Sequence, residues 1–268
     1  MKRNLYFIYF LLFFFNSNIF SQDFNLNIFP QQKFYEKYYA DAISHQLSIS
    51  KHLESRQWFG NIGANVPITN ISLYHQTIQI SVAATVFNTL IKTPGHIQVY
   101  TVDYLVDFFF DKQVTNNLVA RFIWGHLSAH YSDDGITQLD NSPISYVRDY
   151  IGLHGEYFLN EINGKIYTGG FYNFHNEPVI NKHFTFQFGF DSRVKLSKLI
   201  STYAALDLKI KSEVNYGTTQ SYQIGIKYSS DNNRALRLAY THRRGFEERG
   251  QLFNQKDIKN SLGIFIDF

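Results

Sequence analysis

Over most of this 268-residue chain apolar and polar residues alternate, in short segments divided by turn residues. In residues 183–191, Phe184, Phe186, Phe188 and Phe190 alternate with His183, Thr185, Gln187, Gly189 and Asp191. A period of two marks an extended strand, whose successive side chains leave on opposite faces. Residues 97–110 repeat it, with Tyr100, Val102, Tyr104, Val106, Phe108 and Phe110 on one face and Thr101, Asp103 and Asp107 on the other. The same pattern predicts strands at 43–50, 58–66, 72–90, 116–131, 145–159, 164–174, 201–211, 219–228, 234–243 and 258–268, with turns at 67–70 and at Pro94-Gly95. Residues 22–41 show no clear period and read as an arm or plug.

Composition turns this pattern into a membrane architecture. Aromatic residues make up 18% of the chain, with 26 Phe and 19 Tyr, yet mean hydropathy is −0.24. Beyond the first residues no apolar run is long enough for a membrane-spanning helix. Membrane strands need only about 9–11 residues with every second one apolar. The expected fold is therefore all-β: a transmembrane antiparallel barrel of about twelve strands. The final segment, Ser261 to Phe268, alternates and ends on an aromatic, like the closing strand by which outer-membrane barrels are recognised for assembly.

At the other end, Lys2 and Arg3 precede an apolar run over residues 5–15, then polar residues 16–18 and a small residue, Ser21. This is the layout of a secretory leader. The expected organisation is a signal peptide at 1–21, a periplasmic N-terminal arm at 22–42 and the barrel at 43–268, in a bacterial outer membrane. There is no cysteine, which excludes disulfides and thiolate metal sites. The 25 basic and 22 acidic residues nearly balance, more so without Lys2 and Arg3, so nucleic acid is not an expected partner. Expected partners are outer-membrane lipids or lipopolysaccharide, and the barrel assembly machinery through the strand ending at Phe268.

An even strand count puts both chain ends on one side, with short turns at 112–115, 160–164 and 230–233. Loops at 132–143 and 244–256 fall on the other side and are longer. Charges in the strands are expected to face the lumen, because lipid offers them no partner: Asp103, Asp107, Asp207 and Lys209, the column Arg148, His154 and Glu156, and His75 with Gln79. The cluster Arg243, Arg244, Glu247, Glu248 and Arg249 reads as a solvated external loop, or as a contact for surface lipopolysaccharide.

Candidate chemistry concentrates in residues 122–134, Phe-Ile-Trp-Gly-His-Leu-Ser-Ala-His-Tyr-Ser-Asp-Asp. His126, Ser128 and His130 share one strand face, and Ile123, Leu127 and Ala129 the other. One reading is acyl transfer, with Ser128 as nucleophile and His126 or His130 as general base. Asp134 or Asp133 would orient the histidine or hold a divalent cation such as calcium, and no other cofactor is implied. Arg148 would bind an anionic group of the substrate, flanked by Tyr146 and Trp124. The competing readings are a polar lumen lining and a narrow pore.

The run His126-Leu127-Ser128-Ala129-His130…Asp133-Asp134, followed by Ser145-Tyr146-Val147-Arg148-Asp149, resembles a bacterial envelope family known only as a domain of unknown function. Leu236-Arg237-Leu238, Gly245, Gly250-Gln251-Leu252-Phe253, Phe29-Pro30 and Ala40-Asp41 extend the likeness. Ala129, Asp134 and Ser132 depart from its pattern of Ser, Glu and Gly. The resemblance implies an outer-membrane barrel and no established activity. His126-Leu127-Ser128 is more distantly similar to the His-x-Ser of outer-membrane lipid A deacylases, which implies an ester hydrolase whose site can face lipid.

Overall fold

The structure, a computed structural model, describes residues 24–74, 76–138, 142–230 and 234–268. The expected signal peptide and His75 lie outside the described residues. The described residues form thirteen strands: β1 (Phe24–Ile28), β2 (Leu47–His52), β3 (Gln57–Leu73), β4 (Gln76–Thr93), β5 (His96–Gln113), β6 (Leu118–Tyr131), β7 (Tyr146–Leu159), β8 (Gly164–Glu177), β9 (Phe184–Lys195), β10 (Ile200–Lys211), β11 (Gly217–Ser229), β12 (Ala235–Phe246) and β13 (Lys256–Asp267). A short helix, α1 (Asp133–Gln138), follows β6.

Strands β2 to β13 pair antiparallel with their neighbours in chain order, and β2 also pairs with β13. The sheet thus closes into the expected twelve-stranded barrel. Closure gives every wall strand a neighbour on both sides, which an open sheet would not. The predicted turn at 67–70 lies inside β3, where the register shifts between Pro67 and Thr69, and the real reversal falls after Leu73. Pro67 still pairs with Ser81, and the extra residue at the bulge is Ile68. Strand β2 reaches only Trp58–Asn61 of β3; β1 pairs with Thr69–Leu73 further along the same edge.

The arm does not stay outside the barrel; it threads the lumen. The Phe34 amide donates to Gln79 Oε1 (2.9 Å). The Tyr35 ring lies under the Arg121 guanidinium at 4.1 Å, and Tyr38 stacks on Tyr167. Asp41 accepts from Lys209 (2.7 Å) and Gln187 (3.1 Å), while His45 joins Thr85 and Asp107, each at 2.8 Å. Charges around it are paired: Arg121 with Asp111, Lys165 with Glu156, Arg237 with Asp267. Asp103, Asp107, His154, Glu156, Asp207 and Lys209 line the interior as expected.

From the opposite end residues 247–255 fold inward, which corrects the reading of Glu247, Glu248 and Arg249 as a solvated loop. All three are buried. Lys209 donates to Glu248 (3.0 Å), the Gly250 amide to Asp103 (2.9 Å), and Gln251 Nε2 to the carbonyls of Ala129 (2.6 Å) and Ile144 (2.7 Å). Between arm and wall a cavity of about 110 Å³ remains, space for a few waters.

Candidate functional site

Strand β6 carries the motif with a strict alternation. Val119, Arg121, Ile123, Leu127 and Ala129 are buried in the lumen, whereas Phe122, Trp124, His126 and His130 are exposed on the outer wall, with Ser128 half-buried between them. This overturns the polar-lining reading. A water-filled lumen would favour the opposite orientation. Here the plugged interior is itself a core, and Ile123, Leu127 and Ala129 pack with Phe87, Leu105, Phe109, Tyr146 and Tyr150. Apolar burial there decides the direction of the strand.

In the β6–β7 register His126 faces Asp149, and Ser128 faces Val147. His126 Nδ1 meets Asp149 Oδ1 at 2.6 Å. The other oxygen, Oδ2, meets His175 Nδ1 at 2.8 Å. His175 reaches this face through a bulge: β8 places one extra residue, Phe174, between Asn173, which pairs with Tyr150, and His175, which pairs with Asp149. Strict alternation through Phe174 would turn His175 inward; the bulge keeps both residues outward, a standard way to re-aim a side chain. His175 Nε2 lies 3.8 Å from Glu177, which accepts a hydrogen bond from Ser145 (2.7 Å). The imidazoles are about half exposed, at 48% and 49%, so this row is open to the surroundings of the barrel.

An imidazole held through Nδ1 by a carboxylate presents Nε2 as a base. The Ser128 hydroxyl, two residues along the same face, makes no hydrogen bond among the described residues. Ser128, His126 and Asp149 thus share one outward patch, with Trp124 on Phe108 and Phe122 on Phe110 as an aromatic floor. His130 packs edge-on against Tyr104 rather than joining Asp149.

The remaining predicted residues fall elsewhere. Asp134 accepts the Val99 amide (3.3 Å) from α1, so Asp149 and not Asp134 or Asp133 orients the histidine. Arg148 and Tyr146 are buried on the lumenal face of β7. Arg148 is committed to Glu213 (2.9 and 3.0 Å), with its guanidinium 4.0 Å from the Tyr146 ring, so neither meets a ligand of the outer patch. Among the described residues no group of three or more His, Asp or Glu is placed to hold a metal ion. Sequence reasoning gave Asp149 no role and did not reach His175. Asp149 could be found from its parity with Val147 on β7; His175 could not, because its bulge has no sequence mark.

The family model described as "Protein of unknown function (DUF1207)" matches residues 49–268. The chain belongs to that family. No curated protein matches it. Among solved structures it is similar to a "KdgM porin", with 11% identity over 84% of this chain and 99% of that one and a TM-score of 0.49. It is also similar to the beta domain of the Bordetella autotransporter Brka (11% identity, 82% and 96% coverage, TM-score 0.43). A third is the translocator domain of autotransporter NalP from Neisseria meningitidis (9% identity, 85% and 90% coverage, TM-score 0.37). These likenesses carry nothing about activity. Family membership leaves the function open, and the outer-wall residues have to be read on their own chemistry.

Proposed function

We propose that this barrel resides in a bacterial outer membrane and hydrolyses an acyl ester of the surrounding lipid, with Ser128 as nucleophile, His126 as general base and Asp149 as the group that orients His126. The observation that carries the reading is the 2.6 Å contact of His126 with Asp149 on the outer wall, with Ser128 on the same face. The loops at the end nearest this patch include 132–145 and 247–255, longer than the turns at 114–117 and 160–163, which supports assigning that end to the exterior. Polar side chains toward lipid are costly at mid-membrane and cheap near an interface, so a row of His, Asp, Ser and Glu fits a place beside lipid headgroups.

In this mechanism Ser128 Oγ attacks the ester carbonyl carbon while its proton passes to His126 Nε2. The tetrahedral intermediate collapses by breaking the bond to the lipid alcohol, which takes that proton as it leaves. Water then attacks the acyl-serine with His126 again as base, releasing the fatty acid and restoring Ser128. Asp149 holds the imidazole tautomer and stabilises the imidazolium. Trp124 and Phe122 flank the acyl chain.

The test is mass spectrometry of lipid A and phospholipids from cells expressing the wild type or Ser128→Ala, both first shown to be heat-modifiable. Loss of an acyl chain in the wild type alone supports the hydrolase. Unchanged lipids in both would sink it. The pore reading then stands next, and it requires the arm or residues 247–255 to leave the lumen.

A further inference from the structure

The outer wall of β11, β12 and β13, away from the β6–β8 patch, changes character rung by rung toward the loop end. The register gives successive outward rows: Ile226–Leu238–Ile264, Ile224–Tyr240–Leu262, Tyr222–His242–Asn260, Gln220–Arg244–Ile258, and finally Phe246–Lys256. Aliphatic rows pass into an aromatic and amide row, and then into cations. Tyr240 donates to Asn260 (2.7 Å), and His242 shares the same oxygen (2.8 Å). That sequence of chemistries is the profile of a bilayer read from its hydrocarbon to its headgroups.

The two cations are exposed and lack counter-charges. Among the described residues Arg244 uses only Nε, donating to Gln220 Oε1 (2.8 Å), which steadies the guanidinium and leaves both terminal nitrogens without a partner there. Lys256 Nζ lies 5.1 Å from the centre of the Phe246 ring. Neither makes an ion pair among the described residues, unlike the buried Arg121, Arg148 and Arg237 of the lumen. The one acid in the groove, Asp257, faces Lys259 at 3.5 Å on the lumenal side. Phe246 is drawn close over Gly217, where an added Cβ would come within 2.1 Å of its ring. The result is a groove with an aromatic wall, a planar donor fork and an ammonium at one level.

We infer that this groove binds the phosphate headgroup of an anionic lipid in the outer leaflet. The fork of Arg244 matches two phosphate oxygens and Lys256 supplies a second charge. The aliphatic rows beneath accept the acyl chains. A soluble anion has no use for that ladder, so the occupant is a lipid. The inference rests on the membrane setting proposed above but not on hydrolysis, and Ser128→Ala has no bearing on it.

Native mass spectrometry of the full-length folded barrel tests it, with a bisphosphorylated acyl-disaccharide lipid, its dephosphorylated form and phosphatidylcholine as probes. The wild type should retain the phosphorylated lipid preferentially. Arg244→Gln with Lys256→Gln should lower retention about tenfold. Lys195→Gln with Lys198→Gln, which removes equal charge at the other rim, should not. Heat-modifiability checks folding, and Lys256→Gln alone, expected to weaken retention by a smaller factor, serves if the double variant misfolds. Equal retention by the double variant, equal retention of the dephosphorylated lipid, or an equal loss in the control would overturn the site. Displacement by inorganic phosphate would overturn the lipid assignment.

Discussion

The two faces of β6 and β7 treat their polar residues differently. Toward the lumen, Arg121 is clasped by Asp111 and Arg148 by Glu213, and all four are buried or nearly so. Toward the outside, His126, Asp149 and His175 form one hydrogen-bonded row that stays about half exposed at its imidazoles. A buried charge demands a partner for each of its atoms, because the penalty for losing one is the desolvation of the other. An exposed row can keep nitrogen and oxygen atoms uncommitted. The lumen is therefore where stability resides, and the outer wall is where groups remain free to act on something else.

Removing one partner of a buried pair should give the largest effect. Arg237 is fully buried and holds Asp267 through two contacts at 2.9 and 3.2 Å, with Tyr203 and Gln223 on its third nitrogen. Arg237→Ala is expected to cost ~3–5 kcal/mol, measured by urea unfolding in micelles. His126→Ala on the outer wall should shift the same midpoint by less than about 1 kcal/mol. Comparable losses for the two would break the distinction.

A smaller effect is expected where the inward loop meets the wall. A Cβ at Gly250 would sit 2.3 Å from the Tyr146 ring and 2.6 Å from Ala129 Cβ. Gly250→Val should expel residues 247–255 at a cost of ~1–3 kcal/mol, make them protease-sensitive, and raise conductance in planar bilayers. Unaltered protection would show that the loop is not wedged by this contact.

The smallest change is expected from mild acid. Burial alone would push the Glu248 carboxyl up, but Lys209 at 3.0 Å and Lys211 at 3.4 Å, aided by Arg243, hold it well below the ordinary carboxylate range. A depressed value contributes stability that is present above the unfolded-state pKa and lost only as pH falls through the folded one. Loop protection should thus be the same at pH 7 and pH 5, opening only in strong acid. Release near pH 5 would show that a contact other than Glu248 with its two lysines controls the loop.

Much of the architecture was legible before any coordinates. Period-two runs such as Phe184 to Phe190 declare strands, and twelve of them without a helical span admit few folds besides a membrane barrel. The lumenal placement of Asp103, Asp107, His154 and Glu156 followed from the same parity. At the site, His126 and Ser128 stand out in the sequence, as do Asp133 and Asp134 just downstream. Nearness in sequence suggested those two; the β6–β7 register delivered Asp149 from the next strand instead.

Alternation along each strand, set by local stereochemistry, is what the amino-acid sequence determines by itself: which residues share a face, and that the faces differ. Which face looks inward was decided by what fills the barrel. The arm at Tyr35–Asp41 and the loop at Glu248–Gln251 turn the lumen into a packed interior, so Ile123 and Leu127 gain more by burial there than His126 and Ser128 would. A second tertiary decision was the bulge at Phe174, which brings His175 beside Asp149. Both depend on contacts between residues far apart in the chain, and a pattern of local period carries no information about those.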